Sequence, residues 1–276
     1  MNTTEYLSKW AISYKDDIIN NIMPFWMKYG LDREHGGVYT CVNRDGSLID
    51  TTKSVWFQGR FGFIAAYAYN NIEKNPQWLA ASKSCIDFIE AHCFDTDGHM
   101  FFEVTEDGKP LRKRRYVFSE GFAAIAMAEY ALATGEKEYA KKALDIFKRT
   151  LHFLNTPGFL EPKYLPTLPS RGHSITMILI NTASRIRMVI DDPSLTEQID
   201  TSIAALRKYF IHPEFKALLE MVGPDGEFID TCNGRVINPG HCIETAWFIM
   251  EEAKYRNWDK DLLQLALQIL DWSWEW

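Results

Sequence analysis

The stretch VFSEGFAAIAMAEYALATGEKEYAKKALDIFKRTLHFL, residues 117–154, decides the fold class. Its first half is almost wholly apolar and rich in alanine, which is typical of a helix buried on all sides. Its second half carries apolar side chains on one stripe and lysines on the other, which is typical of a helix with one buried face. Gly135 lies between the halves, where a helix end favours a left-handed residue. The stretch therefore predicts a buried helix followed directly by a surface helix.

The same alternation runs along the whole chain. Helices alternate between half-buried and fully buried, so we predict two layers with the buried helices inside. We expect Ser194 and Glu197 to form a capping box at one helix start. The predicted helices cover residues 4–29, 54–71, 77–94, 117–134, 137–155, 173–191, 194–211, 241–256 and 259–275.

Long links precede the buried helices and contain the chemistry of hairpin turns. Asp-Gly and Asn-Gly pairs favour tight turns because glycine adopts positive φ at little cost. They occur within residues 43–46, 106–108, 224–226 and 232–234. We therefore predict an all-α, α/α toroid with short β-hairpins in the long links, and a single domain over residues 1–276.

Composition narrows the function classes. The 276 residues include 30 Lys+Arg and 37 Asp+Glu, a net charge of −7, which disfavours nucleic-acid and anionic membrane surfaces. No apolar run approaches the roughly 20 residues of a membrane span, and the N-terminus has no signal-peptide pattern.

Five cysteines without a CxxC pair indicate reduced thiols in a cytoplasmic protein. The many aromatic residues, 9 Trp, 12 Tyr and 17 Phe, fill a core or suit a sugar-binding cleft.

Five polar residues stand near the starts of the predicted inner helices: Arg60, Glu120, His173, His241 and Glu244. Each follows a long link, so we expect all five at one end of the barrel in a shared cleft. His241 and Glu244 are three positions apart and share a helix face, so the carboxylate can orient the imidazole or hold a substrate hydroxyl. A structural cap, a metal site and a glycosidase-like carboxylate pair remain alternatives.

Several of these segments resemble the N-acylglucosamine 2-epimerase family, also called the renin-binding-protein family. The resemblance rests on FWMKYGLDREHGGVYTCVNRDG, KSVWFQGR, VFSEGF with AMAEYALATG, and NPGHCIETAWF. It implies an (α/α)₆ barrel, here with nine of twelve helices, and interconversion of N-acylglucosamine and N-acylmannosamine at C2. Cellobiose 2-epimerases share the fold and a similar GHxIE segment.

The resemblance also implies roles for individual residues. His241 matches a catalytic histidine, Arg60 the arginine of WxQGR, and Glu244 the glutamate that accompanies the histidine. Glu120, His173 and Trp56 are the predicted substrate-binding residues. The reaction requires no metal and no redox cofactor, and ATP acts as an effector on some family members. We expect a small-molecule sugar substrate, and a homodimer is compatible with the sequence.

Family members carry a second catalytic histidine in a segment like PFHxPR, and this sequence ends at Trp276 before such a segment. We therefore expect the 276-residue chain to be a fragment that is inactive as an epimerase alone, and either poorly soluble or paired with a second copy. The alternative functions are a cellobiose- or mannose-type epimerase or isomerase, a glycoside hydrolase or lyase, and a non-catalytic fragment that binds sugar or protein.

Overall fold

The computed structural model describes residues 2–113 and 116–276 and is mostly helical. It divides into two compact units, residues 1–157 and 158–276. The helical segments agree with those predicted from the sequence to within a few residues. The single domain over residues 1–276 stays a prediction.

The helices of the first unit are α1 (Thr3–Asp17), α2 (Met23–Tyr29), α3 (Val55–Asn71), α4 (Pro76–His92), α5 (Phe118–Thr134) and α6 (Lys137–Asn155). A π-helical turn, Ile18–Ile22, joins the first two. The alanine-rich α5 packs against α3 and α6, and α3 also packs against α4.

The deciding stretch folds as the sequence predicts. Every residue of α5 from Ser119 to Ala131 is buried, whereas α6 buries one stripe and exposes three of its four lysines. Gly135 ends α5 in the left-handed conformation, with φ of 77°, and its N–H donates to the carbonyl of Ala131. The small side chains of α5 allow α3 to approach closely, so residue size sets the spacing between these two helices.

In the second unit α7 packs against α8 and α9, and α9 packs against α10. The capping box predicted at Ser194 and Glu197 is wrong. Asp192 is the N-cap, because its carboxylate accepts from the Ser194 N–H and Pro193 fills the first helical position. The helices are α7 (His173–Arg187), α8 (Pro193–Ala205) with a π-helical turn at Leu206–Phe210, α9 (Pro239–Tyr255) and α10 (Lys260–Glu275).

Short strands occupy the long links. The turns at 43–46 and 106–108 connect paired strands, as predicted: β1 (Cys41–Val42) with β2 (Leu48–Asp50), and β4 (Phe101–Val104) with β5 (Pro110–Lys113). The further strand β3 (Lys53–Ser54) pairs with β4.

The hairpins predicted at 224–226 and 232–234 are wrong. The chain does turn at 224–226, but β9 (Met221–Val222) pairs with the distant β6 (Arg171–Gly172) instead of with a following strand. The strand β8 (Ala217–Leu218) pairs with β7 (Ile211–His212). The backbone of β9 is thus already paired with the residues that precede α7.

None of the helices formed by residues 2–113 and 116–276 is long and apolar enough to cross a membrane.

Candidate active site

His241 lies in the first turn of α9, where the local sequence fixes it. Asn238 is the N-cap, and its side-chain oxygen accepts from the His241 N–H at 3.3 Å. Pro239 supplies the first helical position, where its lack of an N–H has no cost. The imidazole therefore projects from a rigid helix start, with 36% of the side chain exposed.

His173 is the first residue of α7 and is tied to the same place by backbone pairing. Gly172 pairs with Met221 in the β6–β9 ladder, and the His173 N–H donates to the Glu220 carbonyl at 3.1 Å. The His173 side chain is only 1% exposed. The two histidine rings lie 6.4 Å apart between centroids. Two of the sequence-predicted residues therefore meet in one cluster.

Glu220 joins these two histidines. Its carboxylate oxygens lie 3.0 and 3.1 Å from Nδ1 of His241, which is hydrogen-bond distance. Oε2 also lies 3.7 Å from Nδ1 of His173, an ion-pair distance. Burial disfavours the charged carboxyl, but the two facing imidazoles outweigh burial and hold the pKa of Glu220 below its usual 4.5.

Thr245 closes the cluster one turn along α9. Its hydroxyl lies 3.0 Å from Nε2 of His173 and 2.8 Å from the His241 carbonyl oxygen. Both ring nitrogens of His173 are thus engaged, whereas Nε2 of His241 makes no hydrogen bond to any residue in 2–113 or 116–276. Of the two histidines, His241 is the one available to a substrate.

Cys242 is adjacent to His241 but is not a nucleophile. Its thiol is buried and donates to the Leu218 carbonyl. Burial raises the pKa of Cys242 to about 11, so the thiol stays protonated at neutral pH.

Glu244 does not hold His241. It is half-buried on α9, and no hydrogen bond or ion pair joins it to the part of the chain that the structure describes. Glu220 performs the orienting contact that the sequence suggested for Glu244. The other suggested role, a contact to a substrate hydroxyl, stays a prediction.

Arg60 and Trp56 lie in the first two turns of α3, in the first unit. The Arg60 guanidinium lies 4.4 Å from the centre of the Phe122 ring and has no carboxylate partner among residues 2–113 and 116–276. It borders a cavity of about 230 Å³ whose other lining residues are uncharged, including Trp26, Tyr39 and Phe57. Trp56 is half-buried among Phe102, Phe118 and Phe122. The shared cleft predicted for Arg60 and His241 stays a prediction.

Glu120 lies deeper than the sequence suggested. It is 1% exposed, and its Oε1 lies 2.5 Å from His99 Nδ1 and accepts from the Met100 N–H at 2.7 Å. Oε2 has no hydrogen-bond partner in the described part of the chain. This placement favours the structural alternative, in which Glu120 anchors the strand region before α5, over a direct contact to substrate.

His173, Glu220 and His241 are also the group whose spacing suits a metal ion, since one ligand atom from each lies within 4.8 Å of the others. The same nitrogen and oxygen atoms already pair with one another through protons. The distance from His241 Nδ1 to the Glu220 carboxylate is that of a hydrogen bond. The prediction that no metal is bound stays a prediction.

The sequence analysis missed Glu220 and Thr245. A signal for Glu220 was present: it is the one charge in the apolar run Ala217–Val222. The run continues from the β7–β8 ladder to the β6–β9 ladder, and Glu220 lies at the junction. Thr245 carried no such signal, since threonine within a helix is ordinary.

Comparison with known proteins confirms the resemblance inferred from the motifs. The sequence model of a family described as N-acylglucosamine 2-epimerase matches residues 37–275. The N-acylglucosamine 2-epimerase of Rattus norvegicus is 30% identical over 244 residues, which are 85% of this chain and 58% of that protein. The Homo sapiens protein of the same name is 29% identical over 84% of this chain and 56% of its own length.

Solved structures confirm the fold class. The cellobiose 2-epimerase of Bacillus thermoamylovorans superposes with a TM-score of 0.83 at 21% identity, over 95% of this chain and 71% of that one. The predicted (α/α)₆ class with short hairpins is therefore correct for the portion that this chain spans. The chain spans less than two thirds of the length of the two curated relatives.

Proposed function

Because this chain belongs to the N-acylglucosamine 2-epimerase family, we propose that it carries a catalytic base of a carbohydrate 2-epimerase. The reaction interconverts N-acylglucosamine and N-acylmannosamine. The observation that carries the proposal is the His241 imidazole, whose Nδ1 contacts the Glu220 carboxylate and whose side chain is partly exposed.

The chemistry starts from the open-chain sugar. The aldehyde at C1 acidifies the C2 proton, and Nε2 of His241 removes it, which leaves an enolate and an imidazolium. A second acid, reprotonated by solvent, delivers a proton to the opposite face of C2 and inverts the centre, and the imidazolium releases its proton to solvent, which restores the neutral base. Imidazole suits this work because its ordinary pKa of about 6.5 lies near the operating pH.

Arg60 is proposed to stabilise the negative charge that develops on O1 as the enolate forms. Its guanidinium has no carboxylate partner among residues 2–113 and 116–276, so its charge is available to an anion. Trp56, Glu244, His173 and Glu120 are proposed as groups around the substrate, with His173 and Glu120 the least supported because both are buried.

A second candidate substrate is an unacylated sugar such as a β-linked glucose disaccharide. The fold-level likeness to a cellobiose 2-epimerase supports it. Proton removal at C2 is the same for both substrate types, because the C1 aldehyde supplies the acidity. They differ in the group on C2, an acylamino group in one and a hydroxyl in the other.

The test is solvent exchange at C2. The chain is incubated separately with N-acetylglucosamine, N-acetylmannosamine and cellobiose in deuterated buffer, and C2 deuteration and epimer formation are followed by proton NMR. We expect wild type to place deuterium at C2 without forming the epimer, and we expect a loss of exchange of at least about 100-fold in His241→Gln. His152→Gln, at an exposed histidine on α6, is the matched control.

Three results would contradict the proposal. Release of a new reducing end indicates a hydrolase. Sugar binding without exchange indicates a binding protein. Exchange that survives His241→Gln at near-normal rate shows that His241 is structural.

We also propose a cytoplasmic location, which the five free thiols support. A homodimer and an effector role for ATP stay predictions from the sequence and the resemblance.

A further inference from the structure

Glu220 is the only carboxylate, among the residues that the structure describes, that contacts both His173 and His241. Its position is imposed by the backbone on both sides. The Glu220 N–H donates to the Val236 carbonyl at 3.3 Å, and its own carbonyl accepts from the His173 N–H at 3.1 Å. The strands before and after it pair with different partners, β7 and β6. The side chain therefore starts from a fixed point between the two imidazoles.

The protonation of the imidazoles follows from the chemistry of the carboxylate. An ionised carboxylate can only accept hydrogen bonds, so a nitrogen facing it at 3.0 Å must carry a proton. A nitrogen lone pair at that distance would be repelled. The facing atom of His241 is Nδ1, so in the neutral ring the lone pair must lie on Nε2. The nitrogen left free is the one without a partner in the described part of the chain.

We propose that Glu220 is the positioning residue of this site: its carboxylate fixes His241 in the Nδ1–H tautomer, stabilises the imidazolium that forms during proton transfer, and holds His173 against the same anchor. The proposal rests on the proposed function for its catalytic consequence, but the tautomer itself does not depend on any substrate. Glu220 acts through His241 and makes no contact with the sugar in this scheme.

The groups that surround His241 are few enough to isolate the effect. The His241 ring faces His173 on α7 and Glu220 at the junction of β8 and β9. Its neighbours on α9 include Cys242 and Glu244. Of these, Cys242 is a protonated thiol and Glu244 has no hydrogen bond to the ring. A change in the tautomer of His241 on removal of the Glu220 charge can therefore be assigned to that carboxylate.

The first experiment is an NMR measurement on the chain with ¹⁵N-labelled histidines. Long-range proton–nitrogen spectra at alkaline pH should show the Nδ1–H tautomer, the minor form in free histidine, with the signal assigned by its absence in His241→Gln. In Glu220→Gln the population of the Nδ1–H tautomer should fall, because the carboxylate that holds the proton on Nδ1 is removed. Glu251→Gln, an exposed carboxylate on the same helix, should leave the His241 signal unchanged.

Glu220→Asp keeps the charge and guards against a variant that fails to fold. It should retain the Nδ1–H tautomer that Glu220→Gln loses. An Nε2–H tautomer in wild type, or the same tautomer population in wild type and Glu220→Gln, would overturn the proposal. So would a stoichiometric divalent metal in protein purified without chelator and lost in Glu220→Gln, because the carboxylate would then be a metal ligand.

The second experiment measures C2 exchange. Glu220→Gln should lower kcat by about 10-fold to 100-fold with little change in KM, and Glu220→Asp should recover part of the loss. Equal kcat and a raised KM would contradict a positioning role. If wild type shows no exchange, the proposed function fails, while the NMR result still decides whether Glu220 sets the tautomer.

Discussion

The Lys53 ammonium lies 2.7 Å from Oδ2 of Asp32, and neither side chain is more than 1% exposed. The same ammonium donates to the carbonyls of Gly36 and Glu106 at 2.8 Å, so its three protons have three acceptors. Burial disfavours the Asp32 charge, but the hydrogen bond from Lys53, with those from the His35 and Glu34 N–H groups, outweighs burial and lowers the pKa of the carboxyl below 3.8. The buried Lys53 on β3 thus connects the segment before this strand, through Asp32 and Gly36, with the turn between β4 and β5, through Glu106.

Lys53→Met should destabilise the chain by about 3–5 kcal/mol, because Asp32 would remain buried without its counter-charge. Urea denaturation followed by circular dichroism measures the loss. Lys83→Met, which breaks the more exposed Lys83–Asp87 pair, should cost less than about 1 kcal/mol. Adding Asp32→Asn to Lys53→Met should restore part of the stability. Equal losses at Lys53 and Lys83 would show that burial does not govern this pair.

Gly59→Ala should destabilise the chain, although alanine is the better helix former by about 1 kcal/mol. A Cβ at Gly59 would lie 2.6 Å from the backbone carbon of Phe122, so α3 and α5 would have to separate. Gly62→Ala, one turn later, would place its Cβ 3.3 Å from two side-chain carbons and 3.7 Å from the Ser82 carbonyl oxygen, and it should cost less. Thermal or chemical denaturation of both variants checks the order, and a more stable Gly59→Ala would show that the helices do not touch there.

Glu120→Ala should lower stability by about 1–3 kcal/mol, since the buried Met100 N–H and the His99 ring would lose their acceptor. Glu34→Ala, at an exposed glutamate, should stay within about 0.5 kcal/mol of wild type. Denaturation midpoints distinguish a structural role of Glu120 from a substrate-binding role. A variant with wild-type stability but weakened sugar binding would instead support the substrate-binding role.

Arg60→Met should leave stability within about 0.5 kcal/mol, because the side chain is exposed and has no ion-pair partner in the described part of the chain. Under the proposed function it should lower kcat for C2 exchange by about 100-fold to 1,000-fold, and Arg60→Lys should recover part of that loss. Exchange kinetics and denaturation are measured on the same samples. Unchanged kcat in Arg60→Met would remove Arg60 from the mechanism.

Stability should fall as the pH drops through the range in which Glu220 takes up a proton. Its pKa is lower in the folded chain than its ordinary 4.5, so the folded state binds the proton less readily than the unfolded state. The stabilisation is therefore fully present above about pH 4.5 and is lost as the pH falls through the folded pKa. Urea denaturation between about pH 6 and pH 3.5 should show a smaller decline in Glu220→Gln than in wild type. Parallel curves for the two proteins would contradict the assignment.

The sequence by itself determined the helices, because apolar periodicity and end signals act within a few residues of each other. The alanine-rich run before Gly135 could only be buried on all sides, and α5 is so buried. The positions of Arg60, His173 and His241 near helix starts followed from the same local patterns. The motifs VWFQGR and NPGHCIETAWF were specific enough to give the family.

Only the tertiary structure decided which groups meet. Glu220 is 47 residues from His173 and 21 from His241 along the chain, and strand pairing between Gly172 and Met221 brings them together. Sequence spacing favoured Glu244 as the partner of His241, because three positions along a helix place two side chains on one face. A ring nitrogen, however, pairs with the acceptor that lies at hydrogen-bond distance, and long-range strand register supplied that acceptor from another element.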